Sequence, residues 1–169
     1  EDWALRAKNV TAEYHAYIDR IADPAAVGES GRPTYAQVIG AVDRAQQPRD
    51  YVFAAAGGFP GELINGWRAK EVGDFDCEYG FSCMGYELAG AWGARMARSR
   101  GEVFAFVGDG SYLMLNSELL SSVITGHKLI AILCDNGGFA VIERLQVGQG
   151  GASFNNMFSG IGPNRVEID

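Results

Sequence analysis

The chain is 169 residues long, 47% hydrophobic, with a net charge of −7 and a pI near 4.8. An acidic chain without a Lys/Arg cluster argues against nucleic acid and anionic membrane surfaces as partners, and no apolar segment approaches the ~20 residues that span a bilayer. The length suffices for one well-buried domain, and the 23 glycines point to many tight turns and close backbone approaches.

The three cysteines, Cys77, Cys83 and Cys134, are odd in number and show no paired spacing. They read as core or site-lining thiols in a reducing, cytoplasmic setting rather than as a disulfide or zinc framework. The chain opens at Glu1 rather than at a methionine, and a piece of something larger is expected.

Val10, Tyr14, Tyr17, Ile18 and Ile21 fall on one face at helical spacing, predicting an amphipathic first helix that docks on a body. Small residues and glycine from Ala25 to Arg32 read as a linker. Residues 1–32 therefore form an N-terminal helix and linker, and residues 33–169 the main domain. Pro33-Thr34 introduces a second helix with the apolar stripe Tyr35, Val38, Ile39 and Val42. Gln46 to Arg49 is a turn. Tyr51 to Ala56 is the first strand, and Gly57-Gly58 at its carboxyl end is a tight turn that can also touch a bound diphosphate. Phe59 to Phe81 has no usable period and reads as irregular, a length of loop that is often functional. Ser82 to Met96 returns to helical pattern, with Gly85, Ala89, Gly90 and Gly93 crowding one side and predicting very close packing. Arg95, Arg98 and Arg100 lie near the end that favours cations.

Two continuous apolar runs follow, Val103 to Val107 and Leu129 to Leu133, each of the length and composition of a strand buried on both faces. Between them Asn116 to Thr125 reads as a helix, and Gly126 is placed to stop it. The unit is β-α-β, and the fold class is α/β with a parallel sheet flanked by helices on both faces. Asp109 then stands at the carboxyl end of one strand and Asn136 at the end of the next, where open α/β sheets bind ligands. A carboxylate, an amide oxygen and a glycine-exposed carbonyl are hard donors that suit magnesium. The glycines admit a diphosphate, whose charge the N–H groups of a following helix can bind. Phe139 to Leu145 begins a further helix.

Other motifs are weak. Leu113 stands where a dinucleotide fingerprint needs its third glycine, there is no Gly-Lys-Ser or Gly-Lys-Thr, and no serine sits in a Gly-x-Ser-x-Gly elbow. His15 and His127 are far apart without a nearby nucleophile, and His127 reads as a capping or surface residue.

Gly108-Asp109-Gly110, then Glu118-Leu119, then Asp135-Asn136-Gly137-Gly138, with Asn136 following Asp109 by 27 positions, resembles the signature of thiamine-diphosphate-dependent enzymes. Asp135 replaces the first asparagine of the usual pair; the resemblance implies that the retained Asn136 is the one that holds metal. Ser82-Cys83-Met84-Gly85-Tyr86 is similar to a stretch in the acetolactate synthase and decarboxylase branch. That similarity implies that Met84 props the cofactor in a bent shape, making proton abstraction intramolecular, and that the carbonyl near Ser82 receives the pyrimidine amino group. The resemblance thus implies a thiamine-diphosphate-binding fold with Gly57, Gly58, Ser82, Met84, Gly108, Asp109, Gly110, Ser111, Asn136, Gly138 and Phe139 at the cofactor. It places Asp109, Asn136 and Gly138 on Mg2+.

The wording of Glu78 to Glu87 and Gly108 to Leu119, with Arg144-Leu145-Gln146, is similar to a narrower branch. Its members hydrolytically open a carbon–carbon bond of trihydroxycyclohexane-1,2-dione in inositol breakdown. That likeness implies a cyclic dione substrate and a homo-oligomer. It also implies a pyrimidine-binding domain, in the same or a partner subunit, that carries the activating glutamate. Glu62 and Glu87 read as solvated or structural, so this chain carries no catalytic residue of its own and no turnover is expected from it alone. Two readings stay open beside this one: a domain of an acetolactate synthase-like or 2-oxo acid decarboxylase enzyme, and a non-catalytic α/β binding module.

Overall fold

A computed structural model describes residues 2–26 and 31–160, and the chain divides into two compact units, Glu1–Gln46 with Glu62–Arg68, and Gln47–Gly61 with Ala69–Asp169. In the first unit, α1 (Trp3–Ile21) starts where the Asp2 carboxylate accepts the Ala4 N–H at 3.0 Å. Helix α2 (Tyr35–Ala45) starts at a reciprocal capping box. Thr34 Oγ1 accepts the Gln37 N–H at 3.3 Å, and Gln37 Oε1 accepts the Thr34 N–H at 2.9 Å. Of the face assigned to α1 from its spacing, Ile18 is buried, whereas Val10, Tyr14 and Tyr17 are exposed. Residues 27–30 of the expected linker lie outside the described residues.

The second unit is built on a four-stranded, all-parallel sheet in the order β2-β1-β3-β4, from β1 (Tyr51–Ala54), β2 (Phe75–Cys77), β3 (Val103–Gly108) and β4 (Ile130–Cys134). The α/β class read from the two apolar runs is therefore the observed one. One face of β3 packs Val103, Ala105 and Val107 against Leu88 and Ala91 of α4 (Tyr86–Ala97), with Phe53 of β1 in the same cluster. Phe106 points to the opposite face, where Phe59 meets it edge-on with ring centroids 5.3 Å apart. Close packing of α4 is seen at Gly90, where a Cβ would lie 2.9 Å from the Phe53 ring; Gly93 faces open space.

The stretch from Phe59 to Phe81 is not irregular throughout. It contains most of α3 (Gly58–Gly66) and the whole of β2. Helix α3 is nine residues with three glycines and a proline, so its own propensity is poor and its apolar burial holds it. Strand β2 is three half-buried residues on an edge, too short to show alternation. The expected helix at Asn116–Thr125 is in fact preceded by another: α5 (Asp109–Leu115) starts directly at the strand end, and α6 (Ser117–Ile124) follows across Asn116. Gly126 stops α6 in the left-handed region, at φ 70°. Helix α7 (Ala140–Gly148) begins one residue after the expected start.

The turn between α4 and β3 is tight. A Cβ at Gly101, where φ is 76°, would lie 2.0 Å from the Arg49 carbonyl oxygen. Gly101→Ala is expected to destabilise the protein by about 1–3 kcal/mol. Gly148→Ala, whose Cβ would meet nothing within 4 Å, is expected to be neutral or slightly stabilising; denaturant melts of both variants check this.

Candidate functional site

The connection from β1 runs through α3 to β2 on one side of the sheet, while that from β3 runs through α5 and α6 to β4 on the other. The gap between β1 and β3 is therefore a topological switch point, and a crevice must open beyond the carboxyl ends of these strands. A cavity of about 300 Å³ lies there. Helices α3, α5 and α7 all begin at its wall, at Gly58, Asp109 and Ala140. Neither α5 nor α7 has a side-chain cap at its start, and helix N-termini favour an anion beside them.

All eleven residues nominated from the sequence line this cavity. The end of β1 brings Gly57 and Gly58, the loop before α4 brings Ser82 and Met84, and the end of β3 brings Gly108, Asp109, Gly110 and Ser111. The end of β4 brings Asn136, Gly138 and Phe139. The sequence reading missed Ala56, Phe59, Pro60 and Tyr79, and with them the apolar wall Val141, Ile142 and Leu145 of α7. The spacing of those last three, on one helical face, was the available signal.

Asp109 is 1% exposed and held by three backbone amides. Its Oδ1 accepts the Gly110 N–H at 2.9 Å, and its Oδ2 accepts those of Gly137 and Gly138 at 2.9 and 2.7 Å. Burial raises its pKa, the neighbouring Asp135 raises it further, and the amides of Gly110 and Gly138 oppose the rise. Gly110 is required by close approach, because a Cβ there would lie 2.7 Å from the Phe139 ring. Gly138 has φ 135°, and its Cβ would lie 2.6 Å from the Asn156 carbonyl oxygen. That carbonyl accepts the Phe139 N–H at 2.7 Å, and Phe158 N–H donates to Gly137 O at 2.8 Å, so the segment after α7 pins the turn that follows β4.

The loop before α4 is also held by carboxylates. Glu78 accepts the N–H groups of Phe81 at 2.9 Å and Cys83 at 2.7 Å, which lowers its pKa, and Ser82 sits between them at φ 57°. Of the two readings open for Glu87, solvated or structural, its full burial selects the second, and that burial raises its pKa. Glu62 is exposed. His127 is half-buried and does not line the cavity. The three cysteines are free thiols, with Cys83 exposed.

Among the described residues no group of three or more His, Cys, Asp or Glu side chains stands together for a metal. A cation at the cavity would rely on one carboxylate, an amide oxygen and a backbone carbonyl, a hard-oxygen set of the kind magnesium accepts when a phosphate and water complete it. Among the described residues that line the cavity there is no Lys, Arg or His. A diphosphate entering it would meet the buried Asp109 with only helix N-termini in compensation, so the residues fit a diphosphate that arrives with a divalent cation.

Residues 55–167 match the family described as thiamine pyrophosphate enzyme, C-terminal TPP binding domain. The chain belongs to this family. Similar to it are two proteins named 3D-(3,5/4)-trihydroxycyclohexane-1,2-dione hydrolase. The one from Bacillus thuringiensis (strain Al Hakam) is 44% identical over 125 residues, covering 74% of this chain and 19% of the relative. The one from Geobacillus thermodenitrificans (strain NG80-2) is 40% identical over 151 residues, 89% of this chain and 24% of the relative. The chain thus spans about a fifth to a quarter of the length of these curated relatives. The thiamine pyrophosphate family match covers every residue that lines the cavity.

Burial, and then the charge of Asp109, push the Cys134 thiol up to about 12. At pH 8 only about one in ten thousand such thiols is ionised. Iodoacetamide at that pH is expected to leave Cys134 unmodified in the folded protein and to modify it once denaturant is added, as peptide mass mapping would show.

Proposed function

We propose that this chain is the diphosphate- and magnesium-binding part of a thiamine-diphosphate-dependent enzyme that hydrolyses a carbon–carbon bond in a cyclic trihydroxycyclohexane dione. The observation that carries the cofactor reading is the cavity at the β1/β3 switch point. It has three helix N-termini, a buried carboxylate and, among the described residues, no cationic side chain in its wall. The substrate class rests on the names of the relatives.

In this reading Asp109, Asn136 and the Gly138 carbonyl would hold Mg2+, and the N–H groups at the starts of α5 and α7 would bind the diphosphate. Three amide donors fix the Asp109 carboxylate, so it needs little reorganisation when the cation enters. Met84 would support the bent cofactor from below and the carbonyl near Ser82 would orient its pyrimidine. Val141, Ile142 and Leu145 would keep water from the thiazolium side. Once bound, thiamine diphosphate supplies a nucleophilic carbon and an electron sink for breaking a carbon–carbon bond. The glutamate that activates the pyrimidine would come from another domain, of the same or a partner subunit, in a cytoplasmic homo-oligomer. Gly57 and Gly58 at the start of α3 would complete the diphosphate side, with Gly108, Gly110, Ser111 and Phe139 shaping its floor.

A ligand that binds only the folded state raises apparent stability by mass action. Thiamine diphosphate is therefore expected to raise the melting temperature in the presence of magnesium and not in its absence, in the full-length protein that carries this domain. Asp109→Ala is expected to abolish that increment. An equal increment with ADP would reduce the site to a general diphosphate site, and no increment in the full-length protein would refute the cofactor assignment.

A further inference from the structure

Glu87 is a fully buried carboxylate that neither lines the cavity nor is used in the proposed binding of metal and diphosphate. It stands in the first turn of α4, two residues after Gly85, whose φ of 96° turns the chain from the Met84 loop into the helix. Its Oε2 accepts the Gly85 N–H at 3.0 Å, and its Oε1 accepts the Ser111 hydroxyl at 2.5 Å. The same Gly85 N–H also reaches Ser111 Oγ at 2.7 Å. Three groups thus close a ring of hydrogen bonds between the loop that ends in Met84 and the loop that contains Asp109. Met84 and Ser111, one on each side of this ring, both line the cavity. The joint has little room to give, because a Cβ on Gly85 would lie 2.9 Å from Leu115 Cβ.

We infer that Glu87 is a positioning residue that locks the Met84 loop to the Asp109–Ser111 loop, so that the support under the bent cofactor is set relative to its diphosphate anchor. The inference rests on the thiamine-diphosphate reading of the cavity. Charge matters to it as well as shape. A buried carboxylate with two donors makes the stronger, charge-assisted type of bond, whereas an amide in its place presents an N–H group to one of the two donors. Burial raises the Glu87 pKa while the Ser111 and Gly85 donors lower it, so those donors are what favours its ionised form.

The test compares wild type, Glu87→Gln and Ser111→Ala in the full-length protein. Titration calorimetry with magnesium measures the dissociation constants of thiamine diphosphate and of inorganic pyrophosphate, which uses the anchor but not the Met84 support. Glu87→Gln is expected to weaken thiamine diphosphate about tenfold, the loss typical of one charge-assisted hydrogen bond, and to leave pyrophosphate within about twofold. Hydrogen exchange in the cofactor-free protein is expected to accelerate at residues 82–86 in both variants and to stay unchanged at residues 103–107. Equal weakening of both ligands, or no weakening of either, overturns the inference. Exchange that accelerates uniformly along the chain in both variants also overturns it, by making Glu87 a general stability residue. Wild type that binds pyrophosphate but not thiamine diphosphate refutes the cofactor reading instead, and the local exchange pattern still decides whether Glu87 joins the two loops.

Discussion

Everything at the carboxyl end of the sheet depends on the Asp109 carboxylate and the three backbone amides that point at it. Gly110 N–H is local, but those of Gly137 and Gly138 come from the turn after β4, so one side chain ties the ends of two strands together. Each bond to an ionised carboxylate is of the stronger kind, and the glycines are what allow the backbone to come so close. Gly110 has no room for a Cβ beside Phe139, and Gly138 none beside Asn156. The carboxylate therefore does two jobs with one geometry. It closes the turn, and it holds a carboxyl group at the point where α5 begins.

Electrostatics then narrows what the cavity can hold. Helix N-termini favour an anion, a buried carboxylate repels one, and no Lys, Arg or His among the described residues of the wall offsets it. A ligand that carries both charges resolves the conflict, and a magnesium diphosphate is such a ligand. Beyond the anchor the wall turns apolar, through Met84 on one side and Val141, Ile142 and Leu145 on the other. The cavity is therefore polar where a diphosphate would sit and apolar where an aromatic ring would.

The most deeply buried parts of the fold were the most legible in the sequence. Strand β3 reads as an uninterrupted apolar run because both of its faces are covered, whereas β4, expected to be buried on both faces, is half-buried at the sheet edge. The glycine, aspartate and asparagine residues at the ends of both strands fall together in the structure. What was illegible has physical reasons. Strand β2 is three residues, too short to show an alternation, and the glycines and Pro60 of α3 disguise a helix that burial sustains. Helix α5 starts on the residue that ends the strand run, which hides its beginning. For Glu87 the sequence left a solvated and a structural role open, because a glutamate in a first helical turn is usually solvated. The clue was Gly85 two residues earlier, whose N–H needs an acceptor that the helix cannot give. Hydrogen bonds between loops far apart in sequence, such as Ser111 to Glu87, leave no periodic trace.

The central claim is that one divalent cation joins this chain to a diphosphate at the switch point. A crystal structure of the full-length protein with thiamine diphosphate and Mn2+, read through the anomalous signal of manganese, tests it most directly. The account requires a single peak within bonding distance of Asp109, Asn136 and the Gly138 carbonyl, with diphosphate oxygens completing the shell. Manganese bound elsewhere, or a diphosphate held in this cavity with no metal beside it, would contradict it.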